Sequence, residues 1–195
     1  PSGVIVTAIG VFVATRWESA AVCQAFAASE MRVVGGIRCA VARQGQVEWW
    51  VIPMGVGPER ATTTAGRVLG EQSFAAVWST GFACALGQAV IGEVLIGTHV
   101  TMEGGAEDGR SVPCAAAGAD WVRQAVQQQR LPVQAGQFVS VPRVLCRAED
   151  KQEIATRAGG VGLDMESAAL GFVASERKIP FVIVRTASDL VDESL

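Results

Sequence analysis

Two groups of acidic and hydroxyl side chains have the residue types that acid–base chemistry requires. Asp164, Met165 and Glu166 come directly before an apolar segment, with no lysine or arginine among them. Ser188 and Asp189 follow a second apolar run. Burying two carboxylates beside a methionine costs free energy unless polar partners or a ligand compensate. The first group therefore indicates the core of an active site.

Two segments that contain glycine are further candidates for ligand contact. Gly81, Phe82 and Ala83 follow an apolar run, and small residues there let the backbone approach a ligand. Gly57 and Arg60 lie at a predicted helix start, whose backbone amides can face an anion. A tight turn with a solvated arginine is the competing interpretation. The nearby Gly-x-Gly is weak evidence for a dinucleotide, since Arg60 stands at the third glycine position.

The acidic residues also have structural interpretations. Asp164 or Glu166 can cap the following helix or complement its dipole. Ser188 and Asp189 can form an ordinary turn after a strand. Their order along the chain and their places at strand ends favour the functional interpretation. The single histidine, His99, is interpreted as structural.

Composition narrows the class of protein. A length of 195 residues predicts one domain over 1–195, and 50% hydrophobic with 18% charged residues predicts a compact chain. A net charge of −3 without a basic run argues against nucleic acid as a partner. Five cysteines without a CxxC pair are typical of free thiols in a reducing compartment. With one histidine, no metal site is predicted.

Apolar, β-branched runs alternate with helical patterns, which predicts an α/β fold with a mostly parallel sheet. The predicted strands cover residues 4–9, 33–41, 47–53, 75–80, 138–141 and 181–186, with another starting at residue 92. The predicted helices cover residues 18–28, 58–70, 121–129 behind an Asp120 cap, 149–158 and 166–177, and residues 101–114 form a long loop. Ligands bind at the carboxyl ends of strands in such sheets, so the candidate residues can converge there.

Two features bear on location. Pro1 to Gly3 run into an apolar segment without a basic region, so no signal peptide is predicted and a cytoplasmic location is expected. Residues 72–91 carry no charge and are as long as a membrane helix. Their serine, threonine, glycine and glutamine residues indicate a buried strand followed by a tight loop. No membrane span is therefore predicted.

Four ordered blocks resemble the purine nucleoside phosphorylase and methylthioadenosine/S-adenosylhomocysteine nucleosidase superfamily. They span nearly the whole chain, and the Met-Glu block followed by Arg-x-x-Ser-Asp is the specific part. The blocks are Val56-Gly57 at a helix start, Ser79-Thr80-Gly81-Phe82-Ala83, Asp164-Met165-Glu166-Ser167-Ala168-Ala169 and Val184-Arg185-Thr186-Ala187-Ser188-Asp189. Within the superfamily, the chain is most similar to small bacterial phosphorylases associated with hopanoid biosynthesis.

The resemblance implies a three-layer sandwich with a mixed, mostly parallel sheet. It also implies cleavage of the N-glycosidic bond of a purine nucleoside, with adenine as the expected base, or of a nucleoside-tailed metabolite. Asp189 would act as the general acid towards purine N7. Glu166 would bind ribose hydroxyls and stabilise the developing positive charge. The implied substrate contacts are Met165 against the sugar, with Gly81, Phe82, Ala83 and Ser188.

One position departs from the superfamily pattern. Nucleosidases carry a glutamate just after the first strand that activates the attacking water, whereas residues 8–13 contain no acid and Phe12 stands near that place. Three interpretations stay open: phosphate as nucleophile, held by Arg60 or Arg143; Glu18 as a substitute base; or a binding protein without catalysis. Phosphorolysis is favoured because an anion needs no general base. Inorganic phosphate would then be a co-substrate, and no cofactor is expected.

The end of the chain is a second departure. Superfamily members continue past the Ser-Asp pair into a further helix, whereas this sequence stops at Leu195. The expectation is a domain without its C-terminal helix, through truncation or because the subfamily is short. Apolar surface left in this way would be covered by a homodimer.

Overall fold

Strands and helices alternate along residues 6–195, the part of the chain that the computed structural model describes. The strands are β1 (Thr7–Val13), β2 (Glu30–Val34), β3 (Ile37–Gln44), β4 (Val47–Pro53), β5 (Ala76–Ala85), β6 (Val94–Met102), β7 (Ser111–Pro113), β8 (Val133–Ser140), β9 (Gly162–Asp164) and β10 (Phe181–Leu190). The helices are α1 (Arg16–Phe26), α2 (Pro58–Glu71), α3 (Ala116–Gln128), α4 (Ala148–Ala158) and α5 (Ser167–Glu176). The predicted α/β class is confirmed.

All ten of these strands belong to one mixed sheet. The strand β5 pairs with β1, β9 and β10. Because β10 continues through β6, β8 and β9 back to β5, these five strands close into a ring, from which β1, β4, β3 and β2 extend. Parallel pairs join β1 to β4 and β5, β5 to β10, and β8 to β6 and β9, whereas the other pairs are antiparallel. The predicted mixed sheet is confirmed.

Helices cover both faces of the sheet. Phe12 of β1 is buried in the cluster that α2 and α5 form with the sheet. The preceding residue, Val11, packs with Val22 and Phe26 of α1 on the other face. Successive side chains of a strand point to opposite faces, so one strand serves both layers of helices. The predicted three-layer arrangement is confirmed.

Helix α1 starts with a capping box. The hydroxyl of Thr15 accepts the N–H of Glu18 at 3.2 Å, and the Glu18 carboxylate accepts the N–H of Thr15 at 2.7 Å. This exchange satisfies two amides that the first turn leaves without helical partners. The helix therefore begins two residues earlier than predicted, and its first turn fixes Glu18.

Helix α3 also begins earlier than predicted. Its N-cap is Ala115 without a side-chain cap, and Asp120 pairs instead with Arg123 at 3.3 Å on the surface. Ala119 and Val122 are buried against β6, so packing on the sheet outweighs the local capping signal. The prediction of an Asp120 cap was wrong for this reason.

Glycines account for two differences among the strands. Gly10 lies inside β1 and does not end it, and a Cβ there would meet Phe12 Cε2 at 3.1 Å. The predicted strand 33–41 is divided into β2 and β3 by Gly35 and Gly36, whose φ angles of 55° and 73° suit a turn. The predicted first strand began at residue 4, and residues 4 and 5 lie outside the described residues.

Tertiary pairing extends three strands beyond their predicted ends. The loop predicted over 101–114 is shorter, because β6 continues to Met102 and β7 pairs with it. The strands β5 and β10 pair with each other as far as Ala85 and Leu190, so two predicted site segments lie inside strands. Within residues 6–195, no helix has the length and apolar composition needed to cross a membrane.

Candidate active site

One cleft of about 380 Å³ lies where the ends of β1, β5 and β10 meet the corner between β9 and α5. The parallel pairing of β5 with β1 and β10 brings these chain segments together. Most of the residues proposed from the sequence line this cleft: Glu18, Phe82, Ala83, Arg143, Asp164, Met165, Glu166, Ser188 and Asp189. The two acidic groups, far apart in sequence, thus share one site.

Arg185 of β10 is a buried cation in the wall of this cleft, with 1% of its surface exposed. Its Nη2 donates to Ser79 Oγ at 2.9 Å and to Ser167 Oγ at 3.2 Å, and its Nη1 donates to the Phe82 carbonyl at 3.1 Å. Its Nε lies 2.9 Å from Asp164 Oδ2. Arg185 is not among the site residues predicted from the sequence. A charged residue inside an apolar strand was a usable signal, since a buried charge needs partners.

Glu166 stands at the N-cap of α5, yet its side chain does not cap the helix. Its Oε1 accepts the Gly57 N–H at 2.7 Å, and its Oε2 lies 3.7 Å from Arg185 Nη2. Burial raises the pKa of Glu166, while the Arg185 charge opposes the rise and the Asp164 charge adds to it. The carboxylate therefore belongs to the cleft and not to the helix end.

Asp164 takes the structural role at the start of α5. Its Oδ1 accepts the Ser167 N–H at 3.2 Å and the Ser140 hydroxyl, and its Oδ2 accepts the Ser167 hydroxyl. With Arg185 beside Oδ2, both oxygens are engaged by the protein. Asp164 therefore fixes the corner that presents Glu166.

Glu18 is a buried carboxylate of the cleft that the sequence analysis left as a substitute base. Its Oε2 accepts the N–H groups of Ala14 and Thr15 at 2.9 and 2.7 Å, and its Oε1 accepts the Phe82 N–H at 2.8 Å. Its Oε1 also lies 3.9 Å from Arg185 Nη1. The Thr-x-x-Glu capping pattern was the sequence signal that could have placed it.

The neighbours of Glu18 explain two sequence features. A Cβ at Gly81 would lie 2.0 Å from Glu18 Oε1, and the φ of Gly81 is 139°. Glycine is therefore required for β5 to pass this close to the carboxylate. Phe12, the residue expected at the place of the missing acid, is buried in the core with Ile52 and Phe74. It is not part of the cleft.

Asp189 is held by a buried lysine that the sequence analysis did not identify. Lys151 of α4 has 1% of its side chain exposed, and its ammonium forms an ion pair with Asp189 Oδ2. The Ser188 hydroxyl donates to Asp189 Oδ1 at 2.9 Å or to the Ala83 carbonyl at 3.3 Å. The pattern of α4 predicted a charged, solvated face, so no local signal marked Lys151 as buried.

The three residues proposed for phosphate binding, Gly57, Arg60 and Arg143, do not form one site, and of the two arginines Arg143 lines the cleft. The Gly57 N–H donates to Glu166 Oε1. Arg60 lines a second, more open cavity of about 760 Å³, together with Arg16, and this cavity shares Ala14 and Thr15 with the cleft. An anion near Arg60 would therefore lie in this neighbouring cavity and not in the cleft.

The cleft wall around Arg185 carries more negative than positive charge. Glu18, Asp164 and Glu166 all lie within 4 Å of this guanidinium, at 3.9, 2.9 and 3.7 Å. Buried negative charge attracts ligand groups that donate hydrogen bonds or develop positive charge. It repels an anion at the same point. The wall therefore suits a hydroxylated group that becomes cationic during reaction.

This fold and this acidic cleft at the strand ends define an enzyme of the nucleoside phosphorylase and nucleosidase class. The chain belongs to the phosphorylase superfamily, whose family model matches residues 8–195. The match confirms the superfamily recognised in the sequence and the expectation of an enzyme.

Solved structures of two Helicobacter pylori enzymes share the fold. A variant of futalosine hydrolase has a TM-score of 0.84 at 18% identity, covering 96% of this chain and 88% of its own. The second is a variant of 5′-methylthioadenosine/S-adenosylhomocysteine nucleosidase with 5′-methylthioadenosine in its active site. Its TM-score is 0.84 at 19% identity, covering 96% of this chain and 87% of its own. No curated protein matches the sequence. At these identities the likeness establishes the fold.

Proposed function

We propose that the protein hydrolyses the N-glycosidic bond of a purine nucleoside, with Glu18 as the base that activates water. The observation that carries this proposal is the buried Glu18 carboxylate in the same cleft wall as Glu166 and Asp189. Phosphorolysis is favoured by the sequence because no acid stands near Phe12. Glu18 supplies that acid from the first turn of α1.

Each acidic residue has a step in this reaction. Water adds to C1′ of the ribosyl group and gives its proton to Glu18, whose Oε1 keeps a free lone pair beside the Phe82 amide. The bond from C1′ to the purine breaks, and its electron pair leaves with the base. Glu166 accepts ribose hydroxyls and stabilises the positive charge that develops on the sugar. Asp189 carries a proton from solvent to purine N7.

An adenine nucleoside is the proposed substrate class. The nucleosidase that shares this fold holds 5′-methylthioadenosine in its active site. Phe82 and Met165 supply apolar surface to the cleft for a base and a sugar. A volume of about 380 Å³ suits a nucleoside. A nucleoside-tailed metabolite of hopanoid biosynthesis is the finer proposal that the sequence resemblance favours.

The Glu18→Gln variant tests the proposal. Glutamine suits the N3 position of a capping box, so the start of α1 is retained while the base is lost. We expect hydrolysis of adenosine, followed as free adenine by chromatography, to fall about 10² to 10⁴-fold. Glu59→Gln is the matched control, because Glu59 is exposed in the first turn of α2. Full activity in Glu18→Gln would exclude Glu18 as the base.

Phosphorolysis is the second candidate, and the neighbouring cavity favours it. Arg16 and Arg60 line this cavity with Ser19 and Thr63, and guanidinium and hydroxyl groups bind phosphate well. Phosphate-dependent formation of a sugar phosphate, reduced in Arg60→Gln, would establish this route. Equal adenine release with and without phosphate would establish hydrolysis. Binding of nucleosides without release of base would identify a non-catalytic homologue.

A cytoplasmic homodimer is the proposed setting. Trp17, Val56 and Phe82 expose 67%, 47% and 50% of their surfaces, and the last two lie at the cleft. A second copy covering these side chains would bury apolar area beside the site. Sedimentation velocity of the wild type and of Trp17→Ser tests this, with a shift towards monomer expected in the variant. The free cysteines support the reducing location.

A further inference from the structure

Three carboxylates share one cation in the wall of the cleft, and we call these four side chains the Arg185 cluster. Glu18, Asp164 and Glu166 lie 3.9, 2.9 and 3.7 Å from the Arg185 guanidinium, and each side chain is at most 5% exposed. Among residues 6–195, no second lysine or arginine lies within 4 Å of these carboxylates. Three ionised carboxylates against one guanidinium would leave an excess of two buried negative charges, which is costly. A proton held by one of them halves this excess.

The hydrogen bonds of the three carboxyl groups differ. Asp164 accepts three, from the Ser140 hydroxyl and from the hydroxyl and N–H of Ser167. Glu18 also accepts three, all from backbone N–H groups. Glu166 accepts one from the described residues, the Gly57 N–H at 2.7 Å. Because hydrogen bonds to a carboxylate favour its ionised form, Glu166 is the group that holds a proton most readily.

The two oxygens of Glu166 have different surroundings. Oε1 accepts the Gly57 N–H, whereas Oε2 lies 3.7 Å from Arg185 Nη2 and accepts no hydrogen bond from the described residues. Burial raises the pKa of Glu166, the Arg185 charge and the Gly57 N–H oppose the rise, and the Asp164 and Glu18 charges add to it. The direction agrees with the hydrogen bonds. A proton on Glu166 therefore belongs on Oε2.

The remaining charged groups of the cleft lie apart from Glu166. Lys151 forms its ion pair with Asp189. Arg143 lines the cleft with an exposed side chain. On the side of α2, Glu59 and Arg60 line the neighbouring cavity. The charged groups that face Glu166 from α1, β9 and β10 are therefore those of the Arg185 cluster.

A ribosyl group supplies the donors that Glu166 lacks. Each ribose hydroxyl can donate one hydrogen bond, and the proposed reaction places these hydroxyls at Glu166. Such donors favour the ionised carboxylate. A ligand also displaces water, which opposes ionisation, but the Glu166 side chain is only 5% exposed and has little hydration to lose. The hydrogen bonds therefore outweigh the dehydration.

We infer that Glu166 holds a proton in the free protein and that the ribose hydroxyls of a bound nucleoside expel it, so that binding releases a proton to solvent. The O–H bond of the carboxyl group breaks, and water or buffer in the cleft accepts the proton. The inference rests on the proposed function for the place of the ribosyl group. Neither turnover nor the role of Glu18 as base enters it.

Isothermal titration calorimetry in buffers of different ionisation enthalpy counts the protons released on binding. The probe is 9-deazaadenosine, whose carbon–carbon bond between base and ribose is not hydrolysed and whose N7 already carries a hydrogen. We expect release to approach one proton above pH 4.5 and below the raised pKa of Glu166, and to vanish above that pKa. In the same window the Kd should fall by up to about tenfold per pH unit, because the ligand binds the ionised carboxylate.

Two variants and a second ligand assign the proton. Glu166→Gln should release none, and its Kd should not depend on pH in this window. Glu153→Gln alters an exposed side chain of α4 and should match the wild type. The base alone, 9-deazaadenine, has no ribose and should bind without proton release. The inference is overturned if the wild type releases no proton between pH 4.5 and 8, or if Glu166→Gln or 9-deazaadenine gives equal release.

Infrared difference spectroscopy of the wild type covers the case in which Glu166→Gln does not fold. Binding of 9-deazaadenosine should remove the C=O band of a protonated carboxyl group and add the bands of a carboxylate. Loss of the ribose in 9-deazaadenine should abolish this change. A carboxyl band that 9-deazaadenosine leaves unchanged would overturn the inference.

Release of adenine from adenosine separates this inference from the proposed hydrolysis. Proton release on binding of 9-deazaadenosine, by a protein that frees no adenine, would sustain the inference while the proposed function fails. Hydrolysis of adenosine without proton release on binding of 9-deazaadenosine would sustain the function and overturn the inference. A protein that does not bind 9-deazaadenosine would also overturn it.

Discussion

Arg185 organises the cleft at the scale of single residues. Its guanidinium contacts hydroxyl, carbonyl and carboxylate groups of β5, β9 and α5, and 1% of Arg185 is exposed. Three buried carboxylates depend on this charge, at 2.9 to 3.9 Å. The positive charge of Arg185 lowers the cost of burying Glu18 and Glu166. Because three carboxylates surround one guanidinium, the cleft wall keeps a net negative charge.

Loss of Arg185 should destabilise the fold. In Arg185→Met the carboxylates remain buried without their cation, which is expected to cost about 3–5 kcal/mol in the free energy of unfolding. Urea denaturation measures this cost. Arg123→Met is the control, since Arg123 forms an exposed pair with Asp120, and a change within about 0.5 kcal/mol is expected there. A similar small change for Arg185→Met would contradict the central role of the guanidinium.

Glu166 should make stability depend on pH. Burial raises its folded pKa above the ordinary value of 4.5, so the native protein binds this proton more tightly than the unfolded chain. Stability is therefore lost as pH rises from 4.5 through the raised pKa. Glu166→Gln removes this titration. The free energy of unfolding of the variant minus that of the wild type should therefore be larger at pH 8 than at pH 4.

Urea denaturation at both pH values checks this difference, with Glu153→Gln, on an exposed side chain of α4, as the control. A difference that is the same at both pH values would show that Glu166 does not titrate differently on folding. The variant should also lose activity, because stability and the function of a buried carboxylate oppose each other at this position.

At the scale of elements, the site depends on how closely β5 passes the first turn of α1. The Phe82 N–H of β5 donates to Glu18, and Gly81 beside it leaves room for the carboxylate. On the other side, the turn before α2 donates the Gly57 N–H to Glu166. Backbone amides from two separate elements thus orient the two carboxylates that the proposed reaction uses.

Gly81→Ala should disrupt activity more than folding. The new Cβ would meet Glu18 Oε1 at 2.0 Å, and the φ of 139° disfavours alanine. Displacement of Glu18 should lower kcat at least tenfold, measured as release of adenine from adenosine. Gly66→Ala in α2 is the control, because a Cβ there meets nothing within 4 Å and should stabilise the helix by up to about 1 kcal/mol. Equal activity of the two variants would refute the steric argument.

At the scale of the whole molecule, the closed ring of strands brings together residues separated by most of the sequence. The β5–β10 pairing joins residues near 80 to residues near 185, and α1 reaches the same point from the start of the described chain. A ligand seated there contacts several elements at once. Binding should therefore stabilise the whole fold against unfolding.

Adenine should raise the thermal midpoint of the protein. A ligand at 100 times its Kd adds about 2.7 kcal/mol to the free energy of unfolding when it binds the native state alone. Differential scanning calorimetry with adenine measures the shift. Glu18→Gln should retain it, because Glu18 meets water and sugar, whereas Asp189→Asn should lose part of it. The absence of a shift with saturating adenine in the wild type would place the base elsewhere.

The sequence by itself determined the α/β class, the mixed sheet and the superfamily, because hydrophobic periodicity and short ordered motifs are local properties. The sequence also predicted acidic residues of the cleft, since carboxylates beside apolar runs are costly to bury without partners or a ligand. The ends of the strands were predicted less accurately. Pairing with a neighbouring strand extends β5, β6 and β10 beyond the residues that the local sequence pattern indicates.

The tertiary structure alone decided which groups the acids meet. Glu18 enters the cleft because β5 approaches the first turn of α1 at Gly81, and no local pattern records that distance. Lys151 is buried where its ammonium contacts Asp189 and Leu190 at the end of β10, although the sequence of α4 predicts a charged, solvated helix. Contacts between residues far apart in sequence set charge balance and acid–base roles, because electrostatics depend on distance in space.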